Sequence, residues 1–225
     1  MTFSIVGRCE RTGALGVAIT SSSPAVASRC AYVRAGVGAV ATQNVTDPSL
    51  GPALLDALES GLDASTAIRS VVESATHAAY RQLTLVDSHG ARESFSGERS
   101  LGINGAELGS HCVAAGNMLA TIDVLSACAA AFDADPALPI EERLVLALEA
   151  GLALGGEAGP VHSAGLLVAD RVPWPTTNLR VDWSGSPIAD LRALWQLWAP
   201  QKSDYVTRAL DPTNSPSYGV PGDDR

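Results

Sequence analysis

Met1-Thr2-Phe3-Ser4-Ile5-Val6-Gly7-Arg8 opens the chain with an alternating run, Phe3 and Ile5 set against Ser4 and Val6. Period-two alternation predicts a strand with two distinct faces. Glu10-Arg11-Thr12-Gly13 then supplies a turn, and Ala14 to Thr20 reads as a second strand, apolar enough to be buried on both faces. A two-strand meander beginning at residue 2 pins the terminus inside a sheet, where chain ends otherwise fray. The same stretch puts chemistry at its first position. Removing Met1 gives Thr2 a hydroxyl and a free α-amine on one residue, the nucleophile-plus-base unit of some covalent hydrolases. The plain alternative is that Thr after Met marks only a trimmed methionine.

With 225 residues, 46% of them hydrophobic, the chain can bury one substantial core, and a single domain over residues 1–198 is expected. A net charge of -9 and the lack of any basic run argue against a nucleic-acid partner. Lys202 is the single lysine against fourteen arginines, so no lysine upstream of it can act as base or Schiff-base former. Cys9, Cys30, Cys112 and Cys128 are widely scattered and form no Cys-x-x-Cys pair, which reads as reduced, mostly buried thiols. The N-terminus has no basic region followed by an apolar run, and no apolar stretch reaches 18 residues. A cytoplasmic protein without membrane contact is expected.

Further along, Gly36 to Val45 reads as a buried strand whose Gly36, Gly38 and Ala39 permit close approach to the backbone. Asp47-Pro48-Ser49 starts a helix with Leu54, Leu55 and Leu58 on one face, ended by Gly61. Asp63 caps a second helix bearing Ile68, Val71 and Val72. Residues 80–119 return to strand character, around 82–86, 93–95 and 112–119. Two more helices follow, one inward through Ile122, Leu125, Cys128, Ala129 and Phe132, the other through Leu144, Leu148 and Leu152 up to Gly155-Gly156. His162 to Ala169 is a strand and Val181-Asp182-Trp183 a short extended piece. Ser186-Pro187 caps a last helix with Ile188, Leu191, Leu194, Leu197 and Trp198 inward. Residues 199–225 are polar and read as a tail, solvated or laid across a neighbouring subunit. Sheets segregated from paired helices predict an α+β fold, an αββα sandwich of two packed sheets with helices outside.

Three segments together carry a resemblance: Met-Thr-Phe-Ser-Ile-Val-Gly-Arg at 1–8, Arg-Ala-Gly-Val-Gly-Ala-Val-Ala-Thr-Gln at 34–43 and Gly-Asn-Met-Leu at 116–119. Over roughly residues 1–198 the chain resembles the domain of unknown function 1028 family, grouped with the N-terminal-nucleophile (Ntn) hydrolases. The resemblance implies the four-layer αββα sandwich and amide cleavage by a freed N-terminal Thr, Ser or Cys. One run departs from the family pattern, in which an acidic residue, an Arg-Gly pair and Gln-Ser-Ala precede the last strand. Here the run is Glu157-Ala158-Gly159-Pro160-Val161-His162-Ser163-Ala164, without the arginine and with His162 in place of Gln. That implies a subgroup with its own substrate.

The site expected around Thr2 follows from what its chemistry needs. A free α-amine titrates at about 7.7–8.0, so a nearby cation or partial burial raises the free-base fraction at neutral pH. Arg29 and Arg34 are the candidate cations, and Arg29 also suits a bidentate clamp on a substrate carboxylate. A surface ion pair is the alternative for each. Ser21, opposite Thr2 in the meander, is expected to orient the amine or shuttle its proton; Ser22 and Ser23 are near-equivalents, and turn capping is the alternative. Asn117 beside Gly116 offers donors to a developing oxyanion, a role the resemblance favours over a turn-forming one. Thr42 and Gln43 are candidate pocket walls and His162 a candidate substrate contact. The four histidines lack metal spacing, no Gly-x-Ser-x-Gly supports a Ser-His-Asp triad, and no phosphate-loop pattern is present. The expectation is a hydrolase needing no cofactor or metal, acting on a C–N bond of a small, carboxylate-bearing metabolite, with Cys9 as a weaker alternative nucleophile. The hydrophobic last helix and the tail point to a homodimer or higher homo-oligomer. The reading from another class is a binding or scaffold protein that keeps the fold and retains Met1.

Overall fold

A computed structural model describes residues 1–223; Asp224 and Arg225, the last two residues of the expected tail, lie outside the described residues. The opening alternation forms β1 (Thr2–Arg8), which hairpins through the Gly13 turn into β2 (Leu15–Ser21). Their register sets Thr2 opposite Ser21 and Arg8 opposite Leu15. One helical turn, α1 (Ala27–Cys30), leads into β3 (Ala31–Arg34) and β4 (Gly38–Asn44). The helix pair α2 (Leu50–Glu59) and α3 (Ala64–Ser74) follows, with the Asp63 side chain capping α3 by accepting from the Thr66 N–H. Four strands come next: β5 (Arg81–Asp87), β6 (Arg92–Ser96), β7 (Gly105–Leu108) and β8 (Cys112–Asn117). The second helix pair is α4 (Asp123–Asp133) and α5 (Ile140–Ala153). After it come β9 (Ser163–Ala169), β10 (Thr177–Val181), α6 (Pro187–Trp198) and α7 (Lys202–Leu210).

The strands make two antiparallel sheets, β10-β9-β2-β1-β8-β7 and β3-β4-β5-β6. Alternation along β1 divides the core. Phe3 and Ile5 face α4, α5 and α6 with Phe132, Leu144 and Leu191. Val6 faces the other sheet, with Val17 and Ile19 of β2 against Ala39 and Ala41 of β4 and Val86 of β5. Val40, Leu83 and Leu85 point outward from the second sheet into α2 and α3. Four layers result, helix, sheet, sheet, helix: this is the expected αββα sandwich. Gly7 interrupts the apolar run because the Phe132 ring lies on β1; a Cβ there would come 2.5 Å from the ring. Fully burying a side chain such as Phe3 or Leu144 contributes about 1.5–3 kcal/mol.

Several expectations need correction. Ile122, Leu152 and Leu197 are exposed. Ile122 precedes α4 as its N-cap, and Leu152 lies in the last turn of α5. In α6 the buried stripe is Ile188, Leu191 and Trp195, which turns Leu197 outward. Residues 202–210 of the expected tail are helical and packed on their own chain. Tyr205 stacks on Trp198, Arg208 lies over the Tyr205 and Tyr218 rings, and Lys202 Nζ sits 2.6 Å from Glu141 Oε1.

Candidate active site

β1 is central in its sheet, so Thr2 has a partner on each side: Ser21 across β2 and Asn117 across β8. Cross-strand partners share a face, and this is the face that looks toward the second sheet. Ser163 extends the row, paired with Ser21 at the start of β9. The four residues line one end of the sheet, and all are buried. Thr2 Oγ1 donates to the Met1 carbonyl oxygen at 2.5 Å and lies 3.2 Å from Ser21 Oγ. Ser21 Oγ also donates to the Met1 carbonyl, at 2.5 Å.

A chain of donors stands behind Ser21. Arg29 Nη2 donates to Ser23 Oγ at 2.6 Å, and Ser23 Oγ lies 2.8 Å from Ser21 Oγ. With a lone pair of Ser23 taken by the guanidinium, its O–H is free to turn toward Ser21, whose own hydrogen points at Met1. Arg29 Nη1 donates to the Pro24 and Ala25 carbonyls, and Ser163 Oγ fixes the same loop by donating to the Ser23 carbonyl. Ala25 is held at φ 52, and Met118, just after Asn117, at φ 50. Left-handed backbone at non-glycine residues on both rims of Thr2 marks a constrained site.

Behind Asn117 lies a polar network between the sheets. Ser4 Oγ donates to Gln43 Oε1 at 2.7 Å, and Gln43 Nε2 donates to Gln82 Oε1 at 2.8 Å. Asn117 Nδ2 donates to the same Gln82 oxygen at 3.2 Å, while Gln82 Nε2 serves the Gly105 and Gly116 carbonyls and Ser96 Oγ. These bonds fix which way Asn117 faces. One of its amide hydrogens is committed inward, one remains, and its Oδ1 is buried without a partner.

Glu157, which the sequence did not single out as a site residue, enters the site from the loop before β9. It is 3% exposed, and a bridge to Leu119 places it at the same sheet end. Its Oε2 accepts from the Ser22 N–H at 3.2 Å, and its Oε1 is buried without a hydrogen-bond partner. Burial pushes its carboxyl up to about 7, against the pull of the N-terminal amine charge and of Ser22. Two residues on, Gly159 lies against Met1: a Cβ there would sit 3.1 Å from the Met1 methyl carbon. Beyond it an apolar cleft of about 350 Å³ is lined by Leu152, Pro160, Val161, Pro187 and Ile188.

The fold thus brings together Thr2, Ser21, Asn117 and Arg29, with Ser23 distinguished from Ser22 by its bond to Ser21. Gln43 stands one layer behind, in the network rather than on a wall. Thr42 points the other way and donates to the Asp47 carbonyl, because neighbouring strand residues face opposite sides. Arg34 pairs with Asp56 and Glu59 on α2, so it supplies no charge to Thr2. His162 reaches the site through its backbone, donating to the Ser21 carbonyl. Its ring stacks on the exposed Trp183 at 4.4 Å, with Nδ1 3.2 Å from the Ser184 carbonyl. Cys9 is buried past the far end of β1, and all four cysteines are free. A larger cavity of about 450 Å³, lined by Gly36, Leu58, Asp87 and His89 among others, contains none of the residues around Thr2. Among the described residues no group of three or more His, Cys, Asp or Glu is placed to hold a metal ion, and no helix is long and apolar enough to cross a membrane.

One solved structure shares this architecture closely. The crystal structure of protein SPO2555 from Silicibacter pomeroyi, a protein of the same family as identified below, superposes with a TM-score of 0.82 at 30% identity. The match covers 90% of this chain and 94% of that one. Two chains of Anbu, the ancestral beta-subunit, are more distant. That of Yersinia bercovieri gives a TM-score of 0.40 at 9% identity, covering 88% of this chain and 95% of its own. A Gly-1 mutant from Hyphomicrobium sp. strain MC1 gives 0.44 at 12%, covering 92% and 99%. No curated protein sequence matches the chain. The sequence model of the family of unknown function DUF1028 matches residues 2–191, and the chain belongs to that family.

Proposed function

We propose that the mature protein begins at Thr2 and is a cofactor-independent hydrolase of an amide-type C–N bond in a small cytoplasmic metabolite. The observation that carries this reading is the Thr2 hydroxyl, held between Ser21 and Asn117 within hydrogen-bond distance of the carbonyl that precedes it. Freed of Met1, the Thr2 amine takes the hydroxyl proton as Oγ1 attacks the substrate carbonyl carbon. The remaining Asn117 N–H and the Ser21 hydroxyl steady the oxyanion. The C–N bond then breaks, the leaving amine takes the proton, and an ester on Thr2 remains. Water attacks that ester, the α-amine again accepting a proton, and the acid departs with Thr2 restored. Arg29 acts through Ser23 and Ser21. Three of its five N–H donors are committed to Ser23, Pro24 and Ala25, and the expected clamp on a substrate carboxylate is not part of this reading.

Intact mass of protein made in a cell, followed by a panel of small amides, tests the reading. Trimmed Met1 and hydrolysis that drops by about a thousandfold or more in Thr2→Ala are expected. Equal activity of the two would end it. The second reading, a binding or scaffold protein, draws on the two 2.5 Å hydrogen bonds that hold the Met1 carbonyl over Thr2. Retention of Met1 by intact mass selects it. The working form we propose is a homodimer or higher homo-oligomer, supported by the exposed Leu152 and Leu154 at the end of α5 and Leu197 near the end of α6. Sedimentation velocity showing only monomer removes that part.

A further inference from the structure

Met1 displays what fits beside Thr2. Its carbonyl oxygen receives two 2.5 Å hydrogen bonds, from Thr2 Oγ1 and Ser21 Oγ, and stands in for the carbonyl of a substrate. Its terminal methyl lies over Gly159, where a Cβ would come 3.1 Å from it, and stands in for a substrate side chain. Its amine carries a positive charge that acts on the Glu157 carboxylate. Trimming empties this space and leaves its walls in place. Glu157 Oε1 is a buried acceptor with no partner even while Met1 is in place, a costly state that a bound donor relieves. Arg29, the nearest candidate for an anion, already gives three of its five N–H donors to Ser23, Pro24 and Ala25.

We infer that the space vacated by Met1 is a subsite for an amide whose acyl part carries a protonated amine, with Glu157 as the residue that recognises the ammonium group. This deepens the hydrolase reading and rests on Met1 being trimmed. An ammonium supplies three donors to a carboxylate that uses one backbone N–H, and a charge-assisted bond in a dry setting is the stronger kind. The substrate class is therefore small, amine-bearing amides rather than carboxylate-bearing ones.

Calorimetric binding to Thr2→Ala protein, confirmed by intact mass to lack Met1, tests the subsite without turnover. The probes are methioninamide, its analogue lacking the amino group, and glycinamide. Methioninamide is expected to bind about tenfold tighter than the analogue, or more. Glu157→Gln should erase that preference while leaving the affinity of the analogue in place. Gly159→Val keeps the carboxylate but fills the side-chain space, so it should weaken methioninamide and spare glycinamide. Equal binding of methioninamide and its analogue on trimmed protein, or a preference that survives Glu157→Gln, overturns the inference. The amine preference without hydrolysis of any probe or panel amide by the wild type leaves the ammonium site standing and the hydrolase reading without support. Retained Met1 removes both.

Discussion

Glu157 carries a carboxylate into a setting that gives one oxygen a backbone N–H and the other no partner. With its pKa raised from 4.5 to about 7, the folded protein holds this proton more tightly than the unfolded chain does. Between about pH 4.5 and 7 the native state therefore binds more protons, and stability falls as pH rises through that window. The full loss is on the order of 3 kcal/mol, reached above the folded pKa. Glu157→Gln removes the titration. Urea denaturation from pH 5 to 8 should find the variant more stable than wild type at pH 8, with the gap closing toward pH 5. Parallel profiles would show that the carboxylate carries no such penalty. The residue was in view in the sequence, inside a Gly-rich run with no periodicity. Its partner Ser22 is 135 positions away, and only the tertiary fold joins them. Thr2 and Ser21 were legible because a hairpin register is a local property, and Arg29 because it follows Ser21 by eight residues.

At the scale of the elements, β1, β4, β5 and β8 meet in the Ser4–Gln43–Gln82–Asn117 network, and Gln82 is its centre. Gln82→Leu would strip acceptors from two buried amides and a donor from two carbonyls. Each unsatisfied buried group costs about 1–3 kcal/mol, so a loss of roughly 2–5 kcal/mol in urea denaturation is expected, allowing for relaxation. A loss below about 1 kcal/mol would mean that water replaces the glutamine. Part of this network was available from the alternation in β4. Ala39, Ala41 and Gln43 share a face, so Thr42 and Gln43 were never able to line one wall together. The first helix pair was readable from Leu54, Leu58, Ile68 and Val71, whose spacing follows the helical period. β3 and β7 were not, because four-residue strands are too short to establish a period.

Across the whole molecule the two ends of the larger sheet divide the work. Thr2, Ser21, Asn117 and Ser163 meet at one end, while Arg8, Leu15, Cys112 and Ala169 lie toward the other. α7 docks at that second end. Lys202 reaches Glu141 at the start of α5, and Glu141 is 1% exposed with Thr177 Oγ1 as its other partner. A polar composition hid this docking, since it depends on one buried carboxylate and a stack of Trp198, Tyr205 and Arg208. Lys202→Met leaves Glu141 buried with a hydroxyl alone, a change expected to cost about 2–4 kcal/mol. Pairing it with Glu141→Gln removes the stranded charge and should restore much of the loss, as a double-mutant cycle would show. The division between ends makes a sharper demand. Lys202→Met should lower the urea midpoint yet leave methioninamide binding to trimmed protein unchanged, whereas Glu157→Gln should weaken binding while raising stability at pH 8. If both variants moved both quantities in the same direction, the two ends of the sheet would be one coupled unit. The placement of chemistry at the Thr2 end and anchoring at the Arg8 end would then have to be given up.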